Sequence, residues 1–151
     1  MFLKPLIQWL HVGSVVLMIG GFFFFRVVLI PIANRSPDPN TLISSALRRF
    51  SGIVWPALLT VLISGVYNVI AFFRTARASA AESVDVDYSL YILILGIKFF
   101  IVFLVYTLAI ILTFPYPVFE VFQKKPAPWL NTVIIFGLII IFLSAFLRRM
   151  A

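Results

Sequence analysis

The chain has 151 residues, of which 63% are hydrophobic, 17% aromatic and 11% charged, with a mean hydropathy of +1.14. Soluble chains carry about 25% charged residues, so this one has too little polar surface to face water on all sides and reads as a single membrane domain, residues 1–151. Zero cysteines exclude disulfides, zinc–thiolate sites, iron–sulfur clusters and thiol nucleophiles. The net charge of +7 would suggest nucleic acid in a soluble chain. Here the basic residues stand at the ends of apolar runs (Arg48-Arg49, Arg74 and Arg77, Lys124-Lys125, Arg148-Arg149), where they anchor in phospholipid headgroups and leave no basic stripe for nucleic acid.

A membrane span needs roughly 20 predominantly apolar residues, and four such stretches follow one another. The first covers about residues 6–30, entering after Lys4-Pro5 and leaving at Pro31, Asn34 and Arg35. It is longer than the apolar core of a signal peptide and no small-x-small cleavage site follows, so it is expected to be retained. The stretch Ser36-Pro37-Asp38-Pro39-Asn40 predicts a turn. Thr41 is then the expected N-cap of an amphipathic approach over 42–50, which carries Arg48-Arg49 into a second span at 53–73. Pro56 predicts a kink there, because its missing N–H opens one helical hydrogen bond. Residues 75–87, with Glu82, Asp85 and Asp87, predict the longest polar loop. The third span covers 88–114, stopped by Pro115 and Pro117, and the fourth covers 128–147. The expected fold is an all-α, integral membrane four-helix bundle. Lys/Arg bias does not orient it: Lys4, Arg74, Arg77, Arg148 and Arg149 on one side balance Arg35, Arg48, Arg49, Lys124 and Lys125 on the other, and only Arg26 tips the count.

Polar side chains within hydrocarbon each need a partner, a ligand or water, so they carry the functional information. His11 lies about five residues inside one face, and Asn68 lies at similar depth on the antiparallel second span. Ser64 is one turn deeper, and Lys98, about ten residues into the third span, can snorkel its ammonium toward the same level. Gln8, His11 and Ser14 share one side of the first helix. These placements predict a polar pocket built from His11, Gln8, Asn68, Ser64 and Lys98, with His11 as the candidate ligand. A plainer expectation is a mutual network in which Gln8 and Asn68 hydrogen-bond His11 while nothing is bound. Gly13, Gly20, Gly21, Gly65 and Gly96 suggest close helix packing, with a flat cofactor on a glycine notch as the alternative. Phe22 to Phe25 read as a lipid-facing and core-filling run ending in a snorkelled Arg26, and Met18 as core packing that could face the His11 side. Methionines at 1, 18 and 150 do not make a soft copper path. A single histidine excludes a bis-histidine haem within one chain, and no acid inside a span excludes a catalytic triad or paired carboxylates. No catalytic residue is therefore assigned.

Leu10-His11, Gly20-Gly21, Pro31, Arg48-Arg49-Phe50, Gly65-Val66-Tyr67-Asn68 and Tyr88-Ser89 leading to Lys98 resemble the copper-resistance CopD-type membrane domain over roughly residues 9 to 98. The early histidine, the arginine pair before Trp55-Pro56 and the third-span lysine are also similar to the HemJ group, associated with b-type haem and protoporphyrinogen oxidation. The resemblance implies a small bacterial inner (plasma) membrane protein concerned with copper or haem. On that carry-over His11 would be the metal or axial ligand and Lys98 the paired functional lysine; Gln8 and Asn68 join the candidate cofactor site from the depth reading alone. The chain departs from HemJ at Val105-Tyr106-Thr107, where that group is expected to have histidine, and it lacks the additional His and Met ligands of a self-sufficient copper permease. The expected partners are the lipid bilayer and a homo-oligomer or larger membrane complex. The competing expectation is a cofactor-free accessory subunit, suggested by the small size and by phenylalanine at 17 positions.

Overall fold

The computed structural model describes residues 3–79, 88–114 and 116–150. Four helical stretches in it are long and apolar enough to cross a membrane: Lys4–Ala33, Pro39–Ala71, Leu90–Thr113 and Pro126–Leu147. The fold is an all-α four-helix membrane bundle. Helix α1 (Leu3–Phe24) continues through a π-helical turn (Phe25–Leu29) into the short α2 (Ile30–Ala33); α3 is Pro39–Ser79 and α4 is Tyr88–Thr113. A 3₁₀ turn at Pro117–Phe119 leads into α5 (Glu120–Lys124), and α6 is Pro126–Met150. Packing runs in a ring, α1 on α3, α3 on α4, α4 on α6 and α6 back on α1, as expected where each span is joined to the next by a short connection.

Three boundaries differ from those read in the sequence. The first span does not end at about residue 30 but reaches Ala33, just before Asn34 and Arg35. The Ile30 N–H reaches back five residues to the Phe25 carbonyl, and this widened turn absorbs the ring and the missing N–H of Pro31, so the helix continues to Ala33. The amphipathic approach and the second span are one unbroken helix of 41 residues that runs through Pro56. Its cap is Asp38 rather than Thr41: the Thr41 N–H donates to Asp38 Oδ1 at 3.2 Å, and Pro39 takes the first helical position, where no N–H is needed. The Thr41 side chain and backbone also hold the Asp38 carboxyl below its usual range. Finally, α3 extends beyond Arg74 to Ser79, so 75–79 are helix; the rest of the expected loop, 80–87, lies outside the described residues.

In lipid, helices associate through packing and interhelical hydrogen bonds rather than through apolar burial. The core is a column including Met18, Phe22, Phe25, Val54, Leu58, Val105, Leu112, Leu130 and Val133. Met18 belongs to this column. The phenylalanine run divides as expected, with Phe22 and Phe25 buried and Phe23 and Phe24 facing outward. Close approach explains Gly21, where an added Cβ would overlap the Phe50 ring, but not Gly13, Gly20 or Gly96, which have open space. Gly137 is a second close contact, with the Cβ position 2.7 Å from Ile19 Cδ1.

Arg26, expected as a snorkelled end charge, has a partner that the sequence did not name. Its Nε donates to Asn131 Oδ1 at 2.7 Å, tying the π turn to α6. Replacing Asn131 by leucine leaves this guanidinium nitrogen without an acceptor. The expected loss is about 1 kcal/mol in detergent unfolding, and it should exceed that of Arg26→Leu, which removes the cation as well. An equal or smaller loss would show that the pair is dispensable.

Candidate functional site

The site lies where the start of α1 faces the second half of α3. Residues 8 and 11 share a face of α1, while 64 and 68 are one turn apart on antiparallel α3, so the four side chains meet as two rungs. The inner rung joins His11 Nδ1 to Ser64 Oγ at 2.7 Å. In the outer rung, Asn68 Nδ2 donates to Gln8 Oε1 at 3.3 Å. Gln8 and Asn68 thus pair with each other and not with His11, in contrast to the network expected from depth alone. Depth gave the level of each group; the partner depends on the helix rotation, which puts Ser64 under the imidazole.

The hydrogen-bond network also assigns the imidazole tautomer. Ser64 Oγ approaches the carbonyls of Thr60 and Val61, which can only accept. The single hydroxyl proton goes to Thr60, the nearer, and the serine oxygen is left to accept from His11 Nδ1–H. With Nδ1–H directed to Ser64, the ring's lone pair falls to Nε2, and the Val61 backbone also hydrogen-bonds the imidazole. Ser64 itself is buried, and the His11 ring edge packs over Gly65, whose Cβ position lies 3.9 Å from His11 Cε1.

Lys98 reaches the site from α4. It is half-buried and close enough to His11 for the two to interact electrostatically. It makes no hydrogen bond or ion pair among the described residues, where Lys124–Glu120 at 3.7 Å is the ion pair present. The five residues of the expected pocket are therefore brought to one region, with Ser64 as the partner of His11.

Comparisons with protein-family models, with curated proteins and with solved structures find no match to this chain.

The donor set decides what could be held. One neutral imidazole nitrogen, fixed in direction through the other ring nitrogen, is the arrangement of a single axial or metal ligand. Among the described residues no three His, Cys, Asp or Glu side chains gather into a metal cluster. That set is poor for copper, which favours several nitrogen or sulfur donors. It fits a b-type haem better, since haem brings its own four nitrogens and needs only axial ligands from the protein.

Two features were not read in the sequence. Tyr106 OH donates to the Leu58 carbonyl at 2.6 Å, joining α4 to α3, and Gln123 Nε2 donates to the carbonyls of Ile111 and Phe114 at 3.1 and 2.8 Å, closing the end of α4. For Arg26 and Asn131 the signal was present: each stands a few residues inside the same membrane face, on helices that pack together.

Proposed function

We propose that this chain is a small CopD-like protein of the bacterial inner membrane that binds a b-type haem through His11 Nε2 and serves membrane redox chemistry or metal homeostasis. The observation that carries the reading is the Ser64–His11 pair, which directs Nδ1–H to the serine and leaves Nε2 as a lone-pair donor. Lys98 supports it, because an ammonium without a carboxylate partner at this depth suits an anionic group, and haem propionates are anionic. Bound haem would supply one-electron redox chemistry. The protein's part is to orient the imidazole, place a cation beside it and shield both with apolar helices. With a single histidine in the chain, the second axial position would fall to solvent, a non-histidine side chain or a second copy. Copper handling, the other implication of the resemblance, has the poorer donor set.

A second reading, a cofactor-free accessory subunit of a larger membrane complex, is favoured by one specific observation. Among the described residues no buried side-chain polar atom lacks a hydrogen-bond partner, so the two rungs are self-sufficient. Absorption spectra of the detergent-purified chain from haem-replete cells, oxidised and dithionite-reduced, separate the two. The expected result is a Soret band that shifts on reduction and is lost in His11→Ala, while the size-exclusion profile is unchanged. No Soret band in the parent chain overturns the haem reading in favour of the accessory subunit.

A further inference from the structure

A groove lies far from His11, at the opposite end of the bundle. It has a volume of about 440 Å³ and opens between the first turns of α3 and the last turn of α4. Arg48 and Arg49 line it together with Thr41, Ser44, Leu112 and Gln123, and no acidic side chain does. An adjoining groove of about 360 Å³ shares Arg48 and adds Lys124, whose ammonium is already matched by Glu120. Neither arginine makes an ion pair among the described residues.

Three observations indicate what this groove holds. The first is depth. Helix α3 has 41 residues, about 60 Å at 1.5 Å per residue, roughly twice the hydrocarbon thickness. Its first turns therefore lie outside the apolar slab. Trp55 packs on Phe114 with ring centroids 5.6 Å apart, and Trp129 packs on Phe122 at 4.9 Å. Such aromatics mark the membrane–water boundary, and Arg48 and Arg49 lie two turns of α3 beyond Trp55, at headgroup level.

The second is that the arginines are not consumed by the protein. Glu120, the carboxylate of the adjoining groove, is paired with Lys124, and Gln123 already donates to the carbonyls at the end of α4. The third is the division of labour among the hydroxyls. Ser44 and Thr113 donate to carbonyls of their own helices, which leaves the guanidinium forks as the free donors, and these match phosphate oxygens bidentately.

We infer that the groove between the start of α3 and the end of α4 is a binding site for the headgroup phosphate of an anionic phospholipid, held by Arg48 and Arg49. The assignment is independent of the His11 reading.

The test is native mass spectrometry of the delipidated full chain titrated with phosphatidylglycerol or with phosphatidylcholine of the same acyl composition. The parent chain should retain phosphatidylglycerol preferentially. Arg48→Gln and Arg49→Gln should each cut that preference by roughly fivefold, while Arg35→Gln, at the same end but outside the groove, should leave it intact. Arg48→Lys keeps the charge and loses the fork, and should give a partial loss, which serves where a glutamine variant fails to fold. Equal retention of the two lipids, or a preference unchanged in the arginine variants, overturns the proposal. Displacement of phosphatidylglycerol by millimolar inorganic phosphate also overturns it, because the groove would then be a site for a soluble anion.

Discussion

Gly21→Val is expected to cost 2 kcal/mol or more, on the order of what overpacking does in a tight core, as read by denaturant or SDS unfolding in detergent. Gly21 is where α1 meets the Phe50 ring, and any Cβ there overlaps it. The ring has little freedom to withdraw. It stands edge-on to Phe22 at 5.4 Å between centroids and tilted against Phe25 at 4.9 Å, and Phe22 has no exposed surface. A side chain at 21 must therefore push α1 off α3 or break the aromatic trio. The same argument predicts rescue. In a Phe50→Ala background Gly21→Val should cost little, giving a coupling of more than about 1 kcal/mol in a double-mutant cycle. Equal costs in the two backgrounds would show that the seam is not set by this contact.

Ser64→Ala is the second large effect, and it acts on the site rather than on the bundle. Without the serine oxygen the imidazole loses its side-chain partner on α3 and keeps only the Val61 backbone contact, so its orientation and tautomer are less strongly set. Loss of such an outer partner typically weakens metal-centre binding 10- to 100-fold, so on the proposed haem reading the affinity measured by haem titration should fall by about that factor. Thermal unfolding should change little, since one interhelical hydrogen bond in a membrane is worth about 0.6 kcal/mol. Ser64→Thr keeps the hydroxyl and should restore occupancy. Occupancy unchanged in Ser64→Ala, with His11→Ala still inactive as a ligand, would mean that His11 needs no orienting partner. A large stability loss with no haem signal in any variant would instead mark the pair as structural.

These two contrasts reflect the different physics of the two ends of the bundle. At the Gly21–Phe50 level the helices are held by shape. At the His11–Ser64 level they are held by hydrogen bonds, and the packing there is looser: Gly65 has room for a methyl group beside the imidazole at 3.9 Å, while Trp9, Leu10 and Val12 on the same turn face outward. Chemistry and rigidity are thus separated along α1. A ligand at His11 would meet adjustable surroundings on a scaffold fixed two to three turns away.

The sequence alone determined the all-α class and the four spans, because hydrocarbon leaves the backbone no alternative to helix over such apolar runs. It also determined the membrane level of every polar residue, since rise per residue converts position into depth. Gln8, His11, Asn68 and Lys98 were legible as one group for that reason. Where helices begin and continue was legible only in part: the span read as 6–30 is carried through Pro31 to Ala33 by a π turn, and Asp38 with Pro39 caps α3 better than Thr41. Only the tertiary structure decided partners. Depth cannot tell Ser64 from Asn68 as the acceptor for His11, nor show that Arg26 meets Asn131, because both depend on how each helix is rotated and on which neighbour it packs against. Rotation is set by the fit of Phe50 into the notch at Gly21 and of Ile19 against Gly137, and shape complementarity between residues so distant in the chain has no signature in either residue by itself.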